Sequence, residues 1–529
     1  MKLIQREGRK KVTTEMLVYL MYAVMMVGIL AVCLFLPHIL YARKRVMVSN
    51  LLLLPCALAT LALCMPLAGK LNVLKKKGGI AALIAVSFGF LLVQIYAVRN
   101  YYFYTDWDVE TIAESALSFV YGTDITRHGN YFSMCQNNLV LVMLYGWVAK
   151  FASFLGMKEN VYFSLLIFQC ILSWATLLLT CRLIYTLTKS DTAVLLGSAF
   201  YVLLAGISPW VSIPYSDSVG IIFPVLLLTV WMTMPAAGML GMIRAFLMLF
   251  LAYFGYRMKP QILIVLMAIA LVRIGGWLFP VKEGRRRISL RGREALAACV
   301  GLLCAVLLCN SMAAEVKKRV PINEEKQLGM MHYLMLGMNE EEFGVFATRD
   351  VSYSWRFETR EERAAGNLQV TLERIQNMGP VGLCKQFIRK TLTNYNDGTF
   401  CWAGEGAFYR EILPESGKAS SFFRNVYYGP PEVYQGEYGK YYGLWQNGVQ
   451  AVWMLVILLS IFSAFGKKDE RLAIIMLTLI GLTIFETVFE ARARYLYAFL
   501  PLYIVLAVQG AGELCRLKES FFRKRTMKN

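Results

Sequence analysis

The chain has 529 residues, of which 57% are hydrophobic and 17% are charged, and its net charge is +20. Repeated apolar runs of about 20 residues exclude an ordinary soluble domain, because that length crosses a bilayer core. We expect an all-α polytopic membrane protein, since helices satisfy their own backbone hydrogen bonds in lipid. The basic excess is typical of cytoplasmic loops and predicts no nucleic-acid partner.

The cysteines and histidines give no sign of a metal or redox centre. Twelve cysteines are scattered along the chain, mostly inside apolar runs, and they form no CxxC spacing and no cluster with the three histidines. The sequence therefore predicts no resident metal and no certain cofactor, although its carboxylates leave a divalent metal open. Cys384 and Cys401 fall in one long polar stretch and could pair as a disulfide.

Thirteen apolar segments follow one another along the chain. They lie near residues 16–37, 47–69, 80–98, 137–155, 161–186, 190–207, 218–234, 241–257, 261–279, 294–314, 447–466, 471–488 and 493–511. The first follows a basic stretch and is too long for a signal-peptide core, so we interpret it as a signal anchor. The resulting division is an N-terminal membrane hairpin (1–79), a transmembrane core (80–314), an extracytoplasmic loop region (315–446), and C-terminal helices with a basic tail (447–529).

Lysines and arginines in the short loops predict the orientation. The regions expected in the cytoplasm are the N-terminal tail, residues 70–77, 281–294 and 467–468, and the C-terminal tail. They share one side only if a segment between residues 99 and 218 does not cross the membrane, and segment 137–155, which contains Lys150, is the best candidate. We therefore predict about twelve spans with both termini cytoplasmic. Residues 43–45 are basic and would lie outside, against the general trend.

Four polar regions then collect on the outer face. They are TDWD (105–108), SPWVSIPYSDS (208–218), YRMKPQ (256–261) together with the 315–446 region, and FEARARYL (489–496). Charged groups at helix ends are unfavourable near lipid unless they have partners or a task. Their convergence predicts an extracytoplasmic active site in a multi-pass cell-membrane protein.

The first region contains two candidate carboxylates. Apolar residues from Val109 to Val120 recur at helical spacing, which predicts a short amphipathic helix on the membrane surface. Thr105 is its candidate N-cap, and Asp108 would then stand at the N3 position. This capping role accounts for Asp108, so Asp106 is the stronger candidate for a general base.

The second and third regions add one acid and several cations. Tyr215 and Asp217 follow two prolines and precede the next span. Tyr215 is a candidate substrate contact, and Asp217 is either a helix-end carboxylate or part of a site. The cations at outer helix ends are Arg257, Lys259, Arg492 and Arg494. A phosphate is a natural partner for an arginine fork. The alternatives are snorkelling to lipid headgroups or pairing with Glu486 and Glu490.

The 315–446 region is dense in aromatic residues, glycine and carboxylates, a composition suited to sugar rings and hydroxyls. Its candidate substrate contacts are His332, Asp397 and Glu405. A lone histidine is often structural, which is the alternative for His332.

The acidic pair, the surface helix and YFSMCQNNL (131–139) together resemble the integral-membrane GT-C glycosyltransferases. The nearest likeness is to the bacterial branch related to protein O-mannosyltransferases, aminoarabinose transferases and GPI mannosyltransferases. The further stretches that fit this branch are SPWVSIPYSD, YRMKPQ, MLGMN, NDGTFCWAGEG and EARARYLYAFLP. The resemblance covers about residues 80–510 and leaves out the first two spans.

The resemblance implies a GT-C-like fold whose residues 80–314 form the catalytic core. The donor would be a polyprenyl-phosphate sugar, and the acceptor a lipid, a glycan or a protein. The acidic residue of the first loop corresponds best to Asp106, with Asp108 as alternate, and that of the second loop corresponds to Asp217. The groups that would hold donor phosphate are Lys259, Arg492 and Arg494, and those of the first loop that would contact substrate are Asn137 and Asn138. Gln136 stands where the family pattern leads us to expect proline, which puts the contacts of that turn in doubt.

Other functions share parts of this pattern. A lipid-linked glycan polymerase or ligase would use the same outer face. A lipid or solute transporter would place ionisable residues within its spans and would show related halves, neither of which is visible here. A membrane scaffold without enzymatic activity is the third alternative. The chain also lacks a GxGxxG after a strand and a phosphate-binding P-loop, so a nucleotide-sugar donor is not indicated.

Overall fold

The computed structural model describes residues 13–37, 48–70, 79–105, 107–157, 160–278, 292–402, 409–412, 417–427 and 439–526. These residues are almost entirely helical. The first ten helices are α1 (Thr14–Phe35), α2 (Asn50–Lys70), α3 (Gly79–Tyr101), α4 (Asp108–Tyr121), α5 (Gly129–Met134), α6 (Leu139–Phe154), α7 (Val161–Thr188), α8 (Asp191–Tyr201), α9 (Ser216–Gly220) and α10 (Ile222–Thr233).

The second half of the chain is built in the same way. Its helices are α11 (Gly238–Met258), α12 (Leu263–Leu278), α13 (Gly292–Lys317), α14 (Met330–Gly337), α15 (Thr348–Trp355), α16 (Arg360–Tyr395), α17 (Lys418–Tyr427), α18 (Tyr442–Phe462), α19 (Glu470–Val488), α20 (Ala493–Tyr497) and α21 (Leu500–Thr526). Strands β1 (Phe103–Thr105) and β2 (Tyr409–Ile412) form an antiparallel pair.

Within the described ranges, ten helical segments are long and apolar enough to cross a membrane. They are Thr14–Phe35, Gly79–Tyr101, Val161–Thr188, Ser216–Thr233, Gly238–Met258, Pro260–Leu278, Gly292–Lys317, Tyr442–Phe465, Glu470–Val488 and Leu500–Ser520. Two shorter apolar helices are Asn50–Cys64 and Asp191–Gly206. Together these twelve helices correspond to all the apolar segments predicted from sequence except segment 137–155. The all-α polytopic architecture is confirmed, while the count of twelve spans stays a prediction.

The predicted exception, segment 137–155, forms α6. Asn160 donates a 2.7 Å hydrogen bond to the Tyr102 hydroxyl, and Tyr162 donates one of 3.2 Å to the Phe103 carbonyl. Since these bonds join the end of α3 to the start of α7, the intervening chain returns to the side from which it left. At 1.5 Å per residue, α4 and α6 are only about 21 and 24 Å long, short of the roughly 30 Å core. The two helices pack along each other. Their lengths favour an arrangement in which neither α4 nor α6 crosses the membrane.

The remaining helix ends define two faces. The start of α1 packs against Gly275 of α12, the Tyr19 hydroxyl donates to the Lys467 carbonyl at 3.4 Å, and Gly466 packs against Glu513 of α21. These elements therefore share one face, which we call the basic face. The opposite face, where α3 and α13 end, is called the loop face. This grouping is the one predicted from the basic loops, and its assignment to the cytoplasm stays a prediction.

The polar 315–446 region is largely helical. Helices α14, α15 and α16 pack together, and the Arg374 guanidinium binds the Asp350 carboxylate at 2.7 Å. Strand β2 pairs with β1, which ties this region to the first loop. Cys384 and Cys401 are not joined to each other, so the disulfide that their shared polar stretch allowed is absent from the structure.

Candidate functional site

A buried ion-pair cluster lies at the loop face. The Lys259 ammonium donates to Asp217 Oδ1, and Arg494 Nη1 lies 3.5 Å from Asp217 Oδ2. The exposed fractions of Asp217, Lys259 and Arg494 are 0%, 3% and 7%. Buried charges of this kind need partners, because desolvation strongly disfavours an isolated ion. One carboxylate thus fixes two cations that are 235 residues apart (494 − 259).

Local sequence positions each member of the cluster. Pro260 disfavours helical geometry at Lys259, which takes extended dihedral angles (φ −151°, ψ 110°) and separates α11 from α12. Asp217 stands in the first turn of α9, where the helix dipole favours a negative charge. Arg494 lies in the short helix α20, which residues 489–492 separate from the end of α19.

Aromatic rings surround the cations. The Arg494 guanidinium carbon lies 4.8 Å from the Trp107 ring centroid, 5.2 Å from that of Tyr215 and 5.6 Å from that of Tyr495. The Lys259 ammonium lies 4.4 Å from the Tyr495 ring centroid. These distances are within the range of cation–π attraction, which strengthens when water is excluded. The aromatic rings therefore help to shield the two cations of the cluster from water.

Asp108 reaches the cluster through Tyr215. The Tyr215 hydroxyl donates a 2.9 Å hydrogen bond to Asp108 Oδ2. The N-cap of α4 is Trp107, with no side-chain capping bond, and Thr105 belongs to β1. The predicted Thr105 cap with Asp108 at N3 is therefore wrong, because the helix begins at Asp108 itself. Asp106 lies outside the described residues.

Helix α4 is present as predicted, but residues of its apolar stripe are buried against the rest of the protein. Val109, Ile112, Ala113 and Ala116 are buried, and α4 packs along α6. The stripe therefore docks α4 on the protein and holds Asp108 at the loop face.

The YFSMCQNNL stretch lies beside Asp108. Asn138 donates a 2.7 Å hydrogen bond to the Tyr131 hydroxyl, and Asn137 donates one of 3.1 Å to Asn138. Both Tyr131 and Cys135 lie within electrostatic reach of Asp108. Burial raises the pKa of the Tyr131 hydroxyl, with the Asp108 charge adding to the shift. The asparagines thus belong to a layer that supports the Asp108–Tyr215 pair.

Glu490 organises the last region. Its Oε1 accepts a 3.1 Å hydrogen bond from Arg492 Nε, and its Oε2 accepts one of 2.9 Å from the Tyr495 hydroxyl. Burial raises the pKa of Glu490, while the charge of Arg494 lowers it. The pairing of Arg492 with Glu490, one alternative weighed for this arginine, is what the structure contains.

Two further buried charged residues lie near the cluster; the sequence named Glu486 only as a possible partner of the cations and did not single out Lys390. Glu486 is 0% exposed, and among the described residues neither of its carboxylate oxygens has a hydrogen-bond partner. It lies within electrostatic reach of Lys259 and Lys390. The Lys390 ammonium donates to the carbonyls of Gly337 and Phe489 at 3.0 and 2.5 Å. Burial lowers the pKa of Lys390 to about 7.

One sequence feature, Gly337, relates to the burial of Lys390, but its role is recognisable only from the structure. Gly337, in the MLGMN stretch, lies directly against the carbonyls of Val488 and Phe489, where a Cβ would collide. This close approach seats α14 on the end of α19 and aligns two carbonyl acceptors for one ammonium.

The remaining predicted residues have other partners. Arg257 is directed towards α13, where it lies 3.4 Å from Asn310 Oδ1. His332 Nδ1 lies 2.7 Å from the Ser354 hydroxyl, and burial lowers the pKa of His332 to about 4. Asp397 accepts hydrogen bonds within its own turn, from the Thr399 amide at 2.9 Å and the Cys401 amide at 3.1 Å. Glu405 lies outside the described residues.

In the part of the chain that the structure describes, no group of three or more histidine, cysteine or carboxylate residues could hold a metal ion. The charged groups of the cluster can themselves take part in chemistry. Fixed cations can bind an anionic group, and the Asp108 carboxylate can accept a proton.

Comparison with known proteins gives the family. No curated protein and no solved structure matches the chain. A family model described as "Conserved hypothetical integral membrane protein" matches residues 7–513. Since this match spans nearly the whole chain, the protein belongs to that family of integral membrane proteins.

Proposed function

We propose that the protein is a membrane glycosyltransferase that moves a sugar from a polyprenyl-phosphate donor to an acceptor hydroxyl at the loop face. The observation that carries the proposal is the cluster of Asp217, Lys259 and Arg494, with the Asp108–Tyr215 pair beside it. These residues come from four chain regions and meet at one end of the spans. The likeness of those regions to GT-C glycosyltransferases adds support.

In the proposed reaction the acceptor oxygen attacks the anomeric carbon of the donor. The bond from that carbon to the phosphate oxygen breaks, and polyprenyl phosphate leaves. Asp108, or its neighbour Asp106, takes the proton of the acceptor hydroxyl. Lys259 and Arg494 stabilise the charge that develops on the leaving phosphate.

Asp217 then has a positioning role. Because it pairs with both Lys259 and Arg494, it fixes the separation of the two cations before the donor binds. Such preorganisation lowers the reorganisation needed during the reaction. The aromatic rings around Arg494 exclude water and so strengthen its attraction for phosphate.

The test uses the full chain reconstituted in liposomes. A radiolabelled polyprenyl-monophosphate hexose is offered with a mixture of glycan and lipid acceptors, and release of polyprenyl phosphate is measured. We expect release with the parental chain and with Asp124→Asn, which alters an exposed carboxylate of the same loop. Release should be lost with Asp108→Asn combined with Asp106→Asn.

Other outcomes separate the alternatives. Consumption of a polyprenyl-diphosphate oligosaccharide, with the monophosphate sugar untouched, would identify a polymerase or ligase. Movement of the labelled lipid between leaflets without cleavage would identify a transporter. Either result would refute the proposed transfer reaction.

A further inference from the structure

A groove of about 420 Å³ lies between helices α3, α7 and α8, in the half of the spans that adjoins the basic face. Helix α3 begins at this face, α7 ends there at Thr188, and α8 starts from it at Asp191. The groove follows α3 from Ile80 to Phe90, the half of that helix that is remote from the loop face. It is therefore separate from the ion-pair cluster and from the transfer reaction proposed above.

Contacts towards the middle of the spans hold the walls of the groove. The Gln94 side-chain amide donates a 2.6 Å hydrogen bond to the Gly206 carbonyl, and the Phe90 ring packs directly against Gly206. Nearer the basic face, the Trp174 indole donates a 3.1 Å hydrogen bond to the Ser87 hydroxyl. These contacts join α3 to α7 and to the turn that follows α8, so the protein itself keeps the three helices in place.

The lining is largely apolar, and its two serine hydroxyls already have partners. The Ser87 hydroxyl donates to the Ile84 carbonyl at 2.8 Å. The Ser198 hydroxyl donates to the Val194 carbonyl at 2.8 Å and lies 3.1 Å from the Cys181 sulfur. The volume is within the roughly 300–1,000 Å³ of small-molecule sites. The inner part of the groove therefore suits a hydrocarbon chain.

Arg182 supplies positive charge at the end of the groove near the basic face. Among the described residues that line the groove it is the only charged one, and its exposed guanidinium forms no ion pair within the described part of the chain. Lys189 adds a second cation, since its ammonium lies 5.3 Å from the ring centroid of Tyr185, another lining residue. Arg182 lies six residues (188 − 182) before the end of α7. That distance is about 9 Å along the helix, so the side chain can reach the headgroup layer.

The length of the groove matches one leaflet of the bilayer. Ile80 and Phe90 are ten residues (90 − 80) apart on α3. Ten helical residues extend about 15 Å, which is half of the roughly 30 Å hydrocarbon core. The acyl chain of a phospholipid extends through one leaflet, whereas a long polyprenyl chain exceeds it. The apolar half-span with cations at its outer end therefore matches an anionic phospholipid.

We propose that this groove binds one anionic phospholipid from the leaflet at the basic face. One acyl chain lies along α3, and Arg182 binds the phosphate, to which its planar fork is suited. Basic pockets between membrane helices recognise lipid headgroups in this way. The binding does not depend on the transfer reaction, because none of Asp217, Lys259 and Arg494 lines the groove.

The first experiment measures affinity. The full chain in detergent micelles is titrated with phosphatidylglycerol, and native mass spectrometry records the lipid-bound fraction. We expect tighter binding of phosphatidylglycerol than of phosphatidylcholine with the same acyl chains. Arg182→Gln should weaken the affinity for phosphatidylglycerol about tenfold, as the loss of a hydrogen bond to a charged group does. The matched control is Arg293→Gln, which removes an exposed arginine at the start of α13, also at the basic face but outside the groove, and should keep the parental affinity.

The second experiment locates the lipid on the parental chain and needs no variant. Phosphatidylglycerol that carries a diazirine in one acyl chain is cross-linked in nanodiscs, and the labelled peptides are identified. Labelling of residues 80–90 and 177–185 should exceed that of α12 around Met267 and Leu271, an exposed apolar surface that any surrounding lipid contacts. Unlabelled phosphatidylglycerol should compete for the groove peptides and leave the α12 peptides labelled.

Four results would overturn the proposal. Equal affinities for phosphatidylglycerol and phosphatidylcholine would show that the groove does not recognise an anionic headgroup. Unchanged affinity in Arg182→Gln, or an equal loss in Arg293→Gln, would remove the role of Arg182. Cross-linking no greater at the groove than at α12 would show ordinary lipid contact. Displacement of phosphatidylglycerol by an equal concentration of polyprenyl phosphate would assign the groove to that lipid instead.

Discussion

The Tyr215 hydroxyl donates a 2.9 Å hydrogen bond to Asp108 Oδ2 and so joins the turn before α9 to the start of α4. The Tyr215 ring also lies 5.2 Å from the Arg494 guanidinium carbon. One side chain thus contacts both the carboxylate proposed as a base and a cation proposed to hold phosphate. This contact makes Asp108 a stronger catalytic candidate than the sequence indicated, because its capping role is absent.

We predict that Asp108→Asn retains the fold and loses transfer activity by about 10²–10⁴-fold, the usual contribution of a general base. Asparagine still accepts the Tyr215 hydrogen bond, so the thermal midpoint should stay close to that of the parental chain. The measurements are transfer rate and thermal unfolding in one detergent, with Asp124→Asn as control. Full activity in Asp108→Asn together with an inactive Asp106→Asn would assign the base to Asp106 instead.

A second prediction concerns donor recognition by Arg494. Arg494→Lys keeps the charge but removes the planar fork, which lies against Trp107 and Tyr215. We expect the KM for the polyprenyl-phosphate donor to rise about 10- to 100-fold, since a charged hydrogen bond contributes roughly 1.5–3 kcal/mol.

The control for Arg494→Lys is Arg349→Lys. The Arg349 side chain is 91% exposed and forms a 3.6 Å ion pair with another exposed residue, Glu341. An unchanged donor KM in Arg494→Lys, with normal protein yield, would argue against phosphate binding at this residue.

Sequence patterns indicated which residues gather in the cluster, but they did not indicate which of these residues contact one another. Asp108, Asp217, Lys259 and Arg494 were all recognisable as ionisable residues at the ends of apolar runs. Their convergence follows from the alternation of spans, which places such ends on a common face. The pairing of Asp217 with two cations could not be predicted, because it depends on how α9, α11 and α20 pack.

Two failures have a non-local cause. Thr105 resembles an N-cap in sequence, but it pairs as a strand with Tyr409, 304 residues later (409 − 105), and α4 starts after it. Lys390 lies in the long polar helix α16 and resembles a solvated lysine. Its burial arises because Gly337 and Phe489 approach it from two other elements.

Topology supplies a third prediction. The basic face carries the start of α1 and the turn before α19, whereas α14 to α16 lie at the loop face. In intact cells a membrane-impermeant maleimide should therefore label Glu340→Cys and spare Ile288→Cys. Labelling is scored as added mass relative to the parental chain, which contains the same native cysteines, and detergent-permeabilised cells provide the control for Ile288→Cys. The reverse labelling pattern would place the cluster in the cytoplasm.

The last prediction uses the pKa of Lys390, which burial lowers from 10.5 to about 7. Between these values the unfolded chain binds more protons than the folded chain, so the free energy of unfolding rises with pH. The unfavourable burial of the charge is fully present below about pH 7 and is relieved as pH approaches 10.5.

Lys390→Met removes this titration together with two hydrogen bonds. The loss of the hydrogen bonds lowers stability at every pH, whereas the loss of the Lys390 titration changes how steeply stability depends on pH. Thermal midpoints are measured from pH 6.5 to 9.5 for the parental chain, Lys390→Met and Lys385→Met, an exposed lysine on the same helix. The midpoint of the parental chain minus that of Lys390→Met should therefore increase with pH, and Lys385→Met controls for the removal of a lysine from this helix. A difference from Lys390→Met that is constant or falls with pH would show that Lys390 is not held at a lowered pKa.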